Sequence, residues 1–221
     1  MTSKDQPAPR IALIHALAHS VAPINEELER RWPEAVRMNL LDDSLSADLA
    51  RNGRGLDAVM HQRFEDLSAY AERTGADAIL FTCSAFGPCI EAAAARRLRM
   101  PVLKPNEAMV ADAVGHGGRI GLIASFGPTL ESMPPEFPAG TELVTRLAEG
   151  ALEALNRGDT ADHDARVVEA ARWLASQGCD VIALAQFSMA RAQMAVHRAV
   201  DLPVLTTPGS AVRMLRHRLG A

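Results

Sequence analysis

Cys83 has the setting most suited to chemistry. It follows an apolar run over 77–82 and precedes a helical pattern over 85–99, which puts it at a strand end and a helix start. Free backbone N–H groups and the positive end of a helix dipole favour a thiolate there, and equally an anionic ligand. Thr82 and Ser84 flank it with hydroxyls that could hold a carboxylate. The plain alternative is a small core cysteine, since free cysteine is among the most buried residue types. Cys89 falls inside the same helical pattern and reads as core. Cys179 opens a strand, at the end where ligands do not collect, and reads as structural.

His15 closes another apolar run and reads either as a base or carboxylate partner, or as a hydrogen-bonded core histidine. His19 follows it with a weaker claim. Ser125 and Thr129 bracket a strand-to-helix turn, which suits an N-cap pair or an anion site. Asp42 and Asp43 follow a strand, where loop acids usually cap or stay solvated. Gln186 and Phe187 end a further apolar run. No phosphate loop, dinucleotide glycine pattern or Gly-x-Ser-x-Gly elbow occurs, and no cysteine spacing or histidine cluster forms a metal site.

The elements that must hold these residues are written twice. Arg10-Ile-Ala-Leu-Ile-His15 matches Arg119-Ile-Gly-Leu-Ile-Ala124. Gly75-Ala-Asp-Ala-Ile-Leu-Phe-Thr-Cys83 matches Gly178-Cys-Asp-Val-Ile-Ala-Leu-Ala-Gln186. Pro101-Val-Leu103 matches Pro203-Val-Leu205. The order is kept at nearly constant separation, as an internal repeat requires. Runs at 10–15, 77–82, 119–124 and 179–185 predict strands buried on both faces. Weaker strands are expected at 35–39, 101–104, 140–145 and 203–206. Helical patterns fill 23–32, 56–74, 85–99, 106–116, 146–157, 161–177, 187–200 and 208–219. Such alternation predicts parallel sheets covered by helices, with ligands at the carboxyl ends of the strands. The stretch 40–55 is poorly patterned. The stretch 133–140 holds Pro134, Pro135 and Pro138 and reads as a rigid loop, a candidate flap.

Composition narrows the function. The 221 residues are 48% hydrophobic and 23% charged, with net charge −4, an ordinary globular balance. Scattered basic residues and an acidic balance argue against nucleic acid as a partner. No apolar run has the length of a membrane span, so no membrane association is expected. Three cysteines without a disulfide rhythm point to a reducing, cytoplasmic compartment. Lys4 and Arg10 followed by the apolar stretch Ile11 to Ala22 have the outline of a signal peptide. His15, His19 and the repeat favour a strand instead.

The segments Gly75-Ala-Asp-Ala-Ile-Leu-Phe-Thr-Cys83-Ser, Pro-Val-Leu with Asn106-Glu-Ala, and Arg-Ile-Gly-Leu-Ile-Ala-Ser-Phe-Gly-Pro-Thr129 resemble the aspartate/glutamate/hydantoin racemase superfamily, which includes maleate isomerase and arylmalonate decarboxylase. The resemblance spans 10–215. It implies two flavodoxin-like, doubly wound lobes related by a pseudo-twofold, 1–105 with 209–221 and 106–208, and an active-site cleft between them. It implies no metal and no organic cofactor, a small carboxylate or related carbonyl substrate, and, since members often assemble, a homodimer. Members typically place one cysteine per half on opposite substrate faces. One thiolate removes the proton α to a carboxylate and the other thiol returns one, which calls for a lowered thiol pKa. Carried over, Cys83 is the first-half cysteine, Ser84 its carboxylate-binding neighbour, and Ser125 and Thr129 the second-half carboxylate turn.

The departures shape the expectation. Gln186 stands where the second cysteine would fall, and an amide moves no proton near neutral pH. Ser188 replaces a histidine, and His15 with Ala16 replaces an acid and a serine. A two-thiol amino-acid racemase is therefore not expected. The expectation is an isomerase-family enzyme with Cys83 as its one catalytic thiol. Gln186 and Ser188 would orient the substrate, and His15, Thr82, Ser84, Ser125 and Thr129 would bind it. The alternatives are a decarboxylase of the arylmalonate type and a small-acid binding protein without turnover.

Overall fold

A computed structural model describes residues 8–52 and 54–221. Lys4, one of the two basic residues of the signal-peptide outline, lies outside them. The chain divides into two units, 1–105 with 214–221, and 106–213.

The first unit is built on β1 (Arg10–His15), β2 (Val36–Leu41), β3 (Ala78–Phe81) and β4 (Val102–Leu103). All pairings are parallel, in the order β2-β1-β3-β4. Parallel strands need crossover connections. These are α1 (Val21–Arg31), α2 (Ser44–Asn52) with α3 (Ala58–Arg73), and α4 (Gly87–Ala95). The second unit repeats the plan. Its strands β5 (Ile120–Ala124), β6 (Leu143–Leu147), β7 (Val181–Leu184) and β8 (Val204–Thr206) pair in parallel in the order β6-β5-β7-β8. Its helices are α5 (Glu107–His116), α6 (Gly127–Ser132), α7 (Ala151–Asn156), α8 (Thr160–Ser176) and α9 (Gln193–Val200). The closing helix α10 (Thr207–Leu219) contains the second boundary. This is the predicted α/β class, with two doubly wound sheets in a flavodoxin-like order.

The repeated motifs become repeated hydrogen bonds. Asp77 accepts from the Arg10 backbone N–H at 2.7 Å, and Asp180 from that of Arg119 at 2.7 Å. The two guanidiniums reach back to carbonyls at the end of the preceding helix, Arg10 to Thr74 at 2.6 Å and Arg119 to Gln177 at 2.8 Å. Gly75 and Gly178 turn the chain there at φ +80° and +76°, the left-handed conformation that ends a helix. The Arg and Asp of each motif thus fasten the amino ends of two neighbouring strands.

The central strands are apolar throughout because helices cover both faces, and β3, β5 and β7 are wholly buried. The edge strands β2 and β6 are only partly buried, which explains their weaker signal. In the first unit Phe64 of α3 stacks on Phe81 of β3 at 5.2 Å and meets Phe86, tilted, at 4.9 Å.

Neither α2 nor α6 lies in one of the expected helical patterns, although Ser125 to Thr129 reads as a strand-to-helix turn. α2 occupies the poorly patterned stretch because side-chain ties hold it in place of a broad apolar stripe. Asp42 accepts from the N–H and hydroxyl of Ser44 at 3.2 and 2.6 Å, and Arg63 of α3 bridges Asp42 and Asp48. α6 is a short turn of helix opened by Gly127-Pro128. The expected helix over 146–157 begins only at Ala151, because β6 runs on to Leu147. In the proline-rich loop Met133 and Phe137 are buried in the core. Its far end, at Gly140, lines an opening of about 490 Å³ at the amino edge of the sheet, with Gly117, Arg119, Glu142 and Asp180. That places a core-anchored connection where a flap was expected.

Candidate functional site

In the first unit the carboxyl ends of β1 and β3 lie side by side, since the Thr82 N–H donates to the Ile14 carbonyl at 3.0 Å. Cys83 is the extended residue between β3 and a 3-10 turn, Ser84–Phe86, that leads into α4. Phe86, fully buried against Phe64, anchors that turn. Cys83 and Ser84 are half-buried. Cys89 and Cys179 are buried, so Cys83 is the least buried of the three cysteine residues. Burial pushes the Cys83 thiol above its ordinary range, and hydrogen bonds with the Ala85 N–H and the Ser46 side chain pull the other way without overcoming it. The lowered thiol pKa that the helix-start position suggested is not what this setting produces. The turn is one short 3-10 element, and burial outweighs its dipole.

His15 is fully buried. Its Nε2 lies 3.0 Å from Asn39 Oδ1, and the Asn39 amide group is turned to Asn25, so Nε2 carries the proton and donates. Nδ1 faces the Thr82 hydroxyl at 2.9 Å and that of Ser20 at 3.3 Å. Burial lowers the His15 pKa, and the Asn39 hydrogen bond opposes it only in part. The ring is therefore neutral and accepts from Thr82, which turns that hydroxyl inward. Of the two readings left open by the sequence, the structure matches the hydrogen-bonded core histidine.

A pH dependence follows. A base whose folded pKa lies below its unfolded value takes up protons preferentially when unfolded. The His15 contribution is therefore whole above about pH 6.5 and is lost as pH falls from there toward the folded value. The melting temperature of the wild type should fall more steeply between pH 7 and 5 than that of His15→Gln. Parallel curves would exclude His15 as the cause.

Asp42 is tied to Ser44 and Arg63. Burial works to raise its pKa, but the Ser44 hydroxyl and the Arg63 guanidinium bring it below the usual carboxylate range. It serves as a cap and an ion-pair partner, and Asp43 is exposed.

In the second unit Gln186 holds the place that Cys83 holds in the first. Each is extended, at φ −133° and −128°, and each opens a 3-10 turn after a central strand. Gln186 Oε1 accepts from both the Ser125 backbone N–H, at 2.6 Å, and the Ser125 hydroxyl, at 2.9 Å. Ser125 is thus committed to Gln186. Thr129 is buried in the first turn of α6, and Ser188 is half-buried in the turn Phe187–Ala192. Arg191 fixes that turn by pairing with Asp164 of α8 at 2.9 Å, and Asp164 also contacts His163 Nδ1 at 2.8 Å.

Ser46, Asn39, Asp164 and Arg191 were not among the sequence candidates. Each acts through a partner distant in sequence, so no local spacing signals it. Among the described residues no group of three or more His, Cys, Asp or Glu forms a metal site, and no helix is long and apolar enough to cross a membrane.

Residues 18–215 match the family model described as Asp/Glu/Hydantoin racemase. No curated protein matches the chain in sequence. Similar solved structures include glutamate racemase from Bacillus anthracis, at 14% identity over 97% of this chain and 84% of that one, with a TM-score of 0.71. Allantoin racemase from Klebsiella pneumoniae shares 18% identity over 96% and 88%, with a TM-score of 0.69. A glycine-to-cysteine mutant of arylmalonate decarboxylase, in a sulfate-associated form, shares 21% over 96% and 94%, with a TM-score of 0.69. At these identities the likeness to solved structures establishes the fold alone.

Proposed function

Because the chain belongs to the Asp/Glu/Hydantoin racemase family, we propose that it is a cofactor-independent enzyme acting on a small carboxylate or related carbonyl compound, with Cys83 as its single catalytic thiol. The observation that carries this reading is the pairing of positions. One unit presents a half-buried cysteine at a strand end, opening a 3-10 turn. The other presents an amide at the equivalent place, fastened to Ser125. An amide has no accessible pKa, so proton transfer falls to Cys83. Ser84, Thr129, Ser188 and Gln186 are proposed to bind and orient substrate. His15, buried with both ring nitrogens engaged, is proposed to hold Thr82 in place. Cytoplasmic location and assembly as a homodimer remain part of the proposal.

One thiol suits reactions in which the same group gives and takes the proton at the carbon α to a carboxyl or carbonyl. Decarboxylation is the second reading, and the raised Cys83 pKa favours it, because a thiol that rests protonated is ready to donate. The carbon–carbon bond to the leaving carboxylate breaks, carbon dioxide departs, and its electron pair remains on the substrate as an enediolate. The Cys83 proton then forms the new C–H bond, and solvent returns a proton to the thiolate.

The test is proton NMR in D₂O. Amino acids, α-substituted acids, aryl malonates, maleate and hydantoins are incubated with wild type and Cys83→Ala. Deuterium uptake or carboxylate loss in the wild type only is the expected result. Turnover that survives in Cys83→Ala overturns the assignment.

A further inference from the structure

We propose that Asn106 is a substrate-binding residue, whose carboxamide N–H at the start of α5 donates to a carboxylate oxygen of the substrate. The proposal rests on the reading of the chain as an enzyme of small carboxylates.

Asn106 opens the second unit and is 2% exposed. Its Nδ2 is buried and has no hydrogen-bond partner. A buried donor left unpaired costs free energy, so a native fold that keeps one needs a reason. The ordinary use of such a residue is to cap a helix. Asn106 stands at the N-cap of α5, yet its side chain makes no capping bond. Elsewhere this chain uses its caps. Asp57 accepts from the Met60 N–H at 2.9 Å, and Asp159 from the Asp162 N–H at 3.0 Å. The matching junction after β8 is closed as well. There Thr206 Oγ1 accepts from the Gly209 N–H at 3.2 Å, and the Thr207 hydroxyl donates to the Leu184 carbonyl at 3.0 Å.

The place suits a substrate. α5 packs on β7 and β8. Its last turn lies at the amino edge of the sheet, where Val114 and Gly117 line the opening with Asp180. Its first turn therefore lies at the carboxyl edge. Thr207 agrees, since its hydroxyl is 3.7 Å from Met109 Sδ in the first turn of α5 and bonds the carbonyl of Leu184, the last residue of β7. Gln186 follows two residues on. Asn106 thus stands on the rim of the second unit that carries Gln186 and Ser125. The first turn of a ten-residue helix adds open backbone N–H groups and the positive end of its dipole. Turning the amide to a carboxylate exchanges an unpaired donor for a charge-assisted hydrogen bond.

The test reads binding and stability separately. Phenylmalonate, maleate and 2-phenylpropionate are titrated by ligand-observed NMR against Cys83→Ala, so that turnover does not consume them. Asn106→Ala and Asn106→Asp are then added to that background. Asn106→Ala is expected to weaken the tightest of the three at least about tenfold, the effect of losing a bond to a charged group. Asn106→Asp puts a negative charge in the donor's place and should abolish binding. The melting temperature of Asn106→Ala without ligand should hold or rise, because no bond is lost, whereas loss of a structural cap would lower it by about 2–4 °C. Unchanged affinity in Asn106→Ala, a melting temperature that falls together with affinity, or no binding of any of the three to the parent overturns the assignment. Binding that depends on Asn106, with no turnover by the wild type across the NMR panel, would overturn the enzyme reading and leave the binding residue standing.

Discussion

Cys83→Ser is expected to lower turnover at least about a thousandfold, within the range supplied by a positioned acid or base. The exchange is nearly neutral in volume at a half-buried position, so stability should change by no more than about 0.5 kcal/mol. A serine hydroxyl neither donates nor accepts a proton readily near neutral pH, so the loss reports chemistry. The pH profile of the wild type then separates the two readings. Burial holds the thiol above its ordinary range. If the thiol is the donor, the rate is flat through neutral pH and falls as pH rises through that raised value. If the thiolate is the base, the rate climbs over the same interval. A Cys83→Ser variant with more than a tenth of wild-type turnover would remove Cys83 from the mechanism.

Phe64→Ala is expected to cost about 3–5 kcal/mol in urea unfolding, the usual range for deleting a buried aromatic side chain. Phe64 is 2% exposed, and its ring meets Phe81 of the central strand and Phe86 of the turn after Cys83. The resulting cavity has rigid walls on the strand side, where β3 is locked between β1 and β4, so it cannot collapse freely. Phe126→Ala is the control. Phe126 is 49% exposed, and its loss should stay within about 0.5 kcal/mol. A cost under about 1.5 kcal/mol for Phe64 would mean that the surrounding side chains close over the gap.

The parts of the fold that could be read from sequence are those whose cause is local. β1, β3, β5 and β7 are continuous apolar runs because both of their faces are covered. Gly75 and Gly178 mark helix ends because a left-handed turn is needed there. Cys83 and Gln186 could be matched because the motifs ahead of them are the same. α2 could not be read, since Arg63 reaches it from another helix and its own apolar residues are few. Ser46 was hidden for the same reason, as its bond to the Ala16 carbonyl depends on the placement of that helix. The raised Cys83 pKa was also hidden, because burial is a sum over neighbours that no strand-end rule contains. For His15 the sequence left two readings, and the choice depends on Asn39, Thr82 and Ser20, which converge only in the fold.

The twin fastenings at the amino edges, Arg10 with Asp77 and Arg119 with Asp180, have a consequence for how such a chain can vary. They set strand alignment from below, at the end of each sheet that carries no candidate chemistry. Nothing in them depends on which side chain stands at the opposite rim. A thiol in one copy and an amide in the other therefore stand on strands anchored in the same way. The rim is where a lineage built on this frame is free to change its chemistry without renegotiating its architecture.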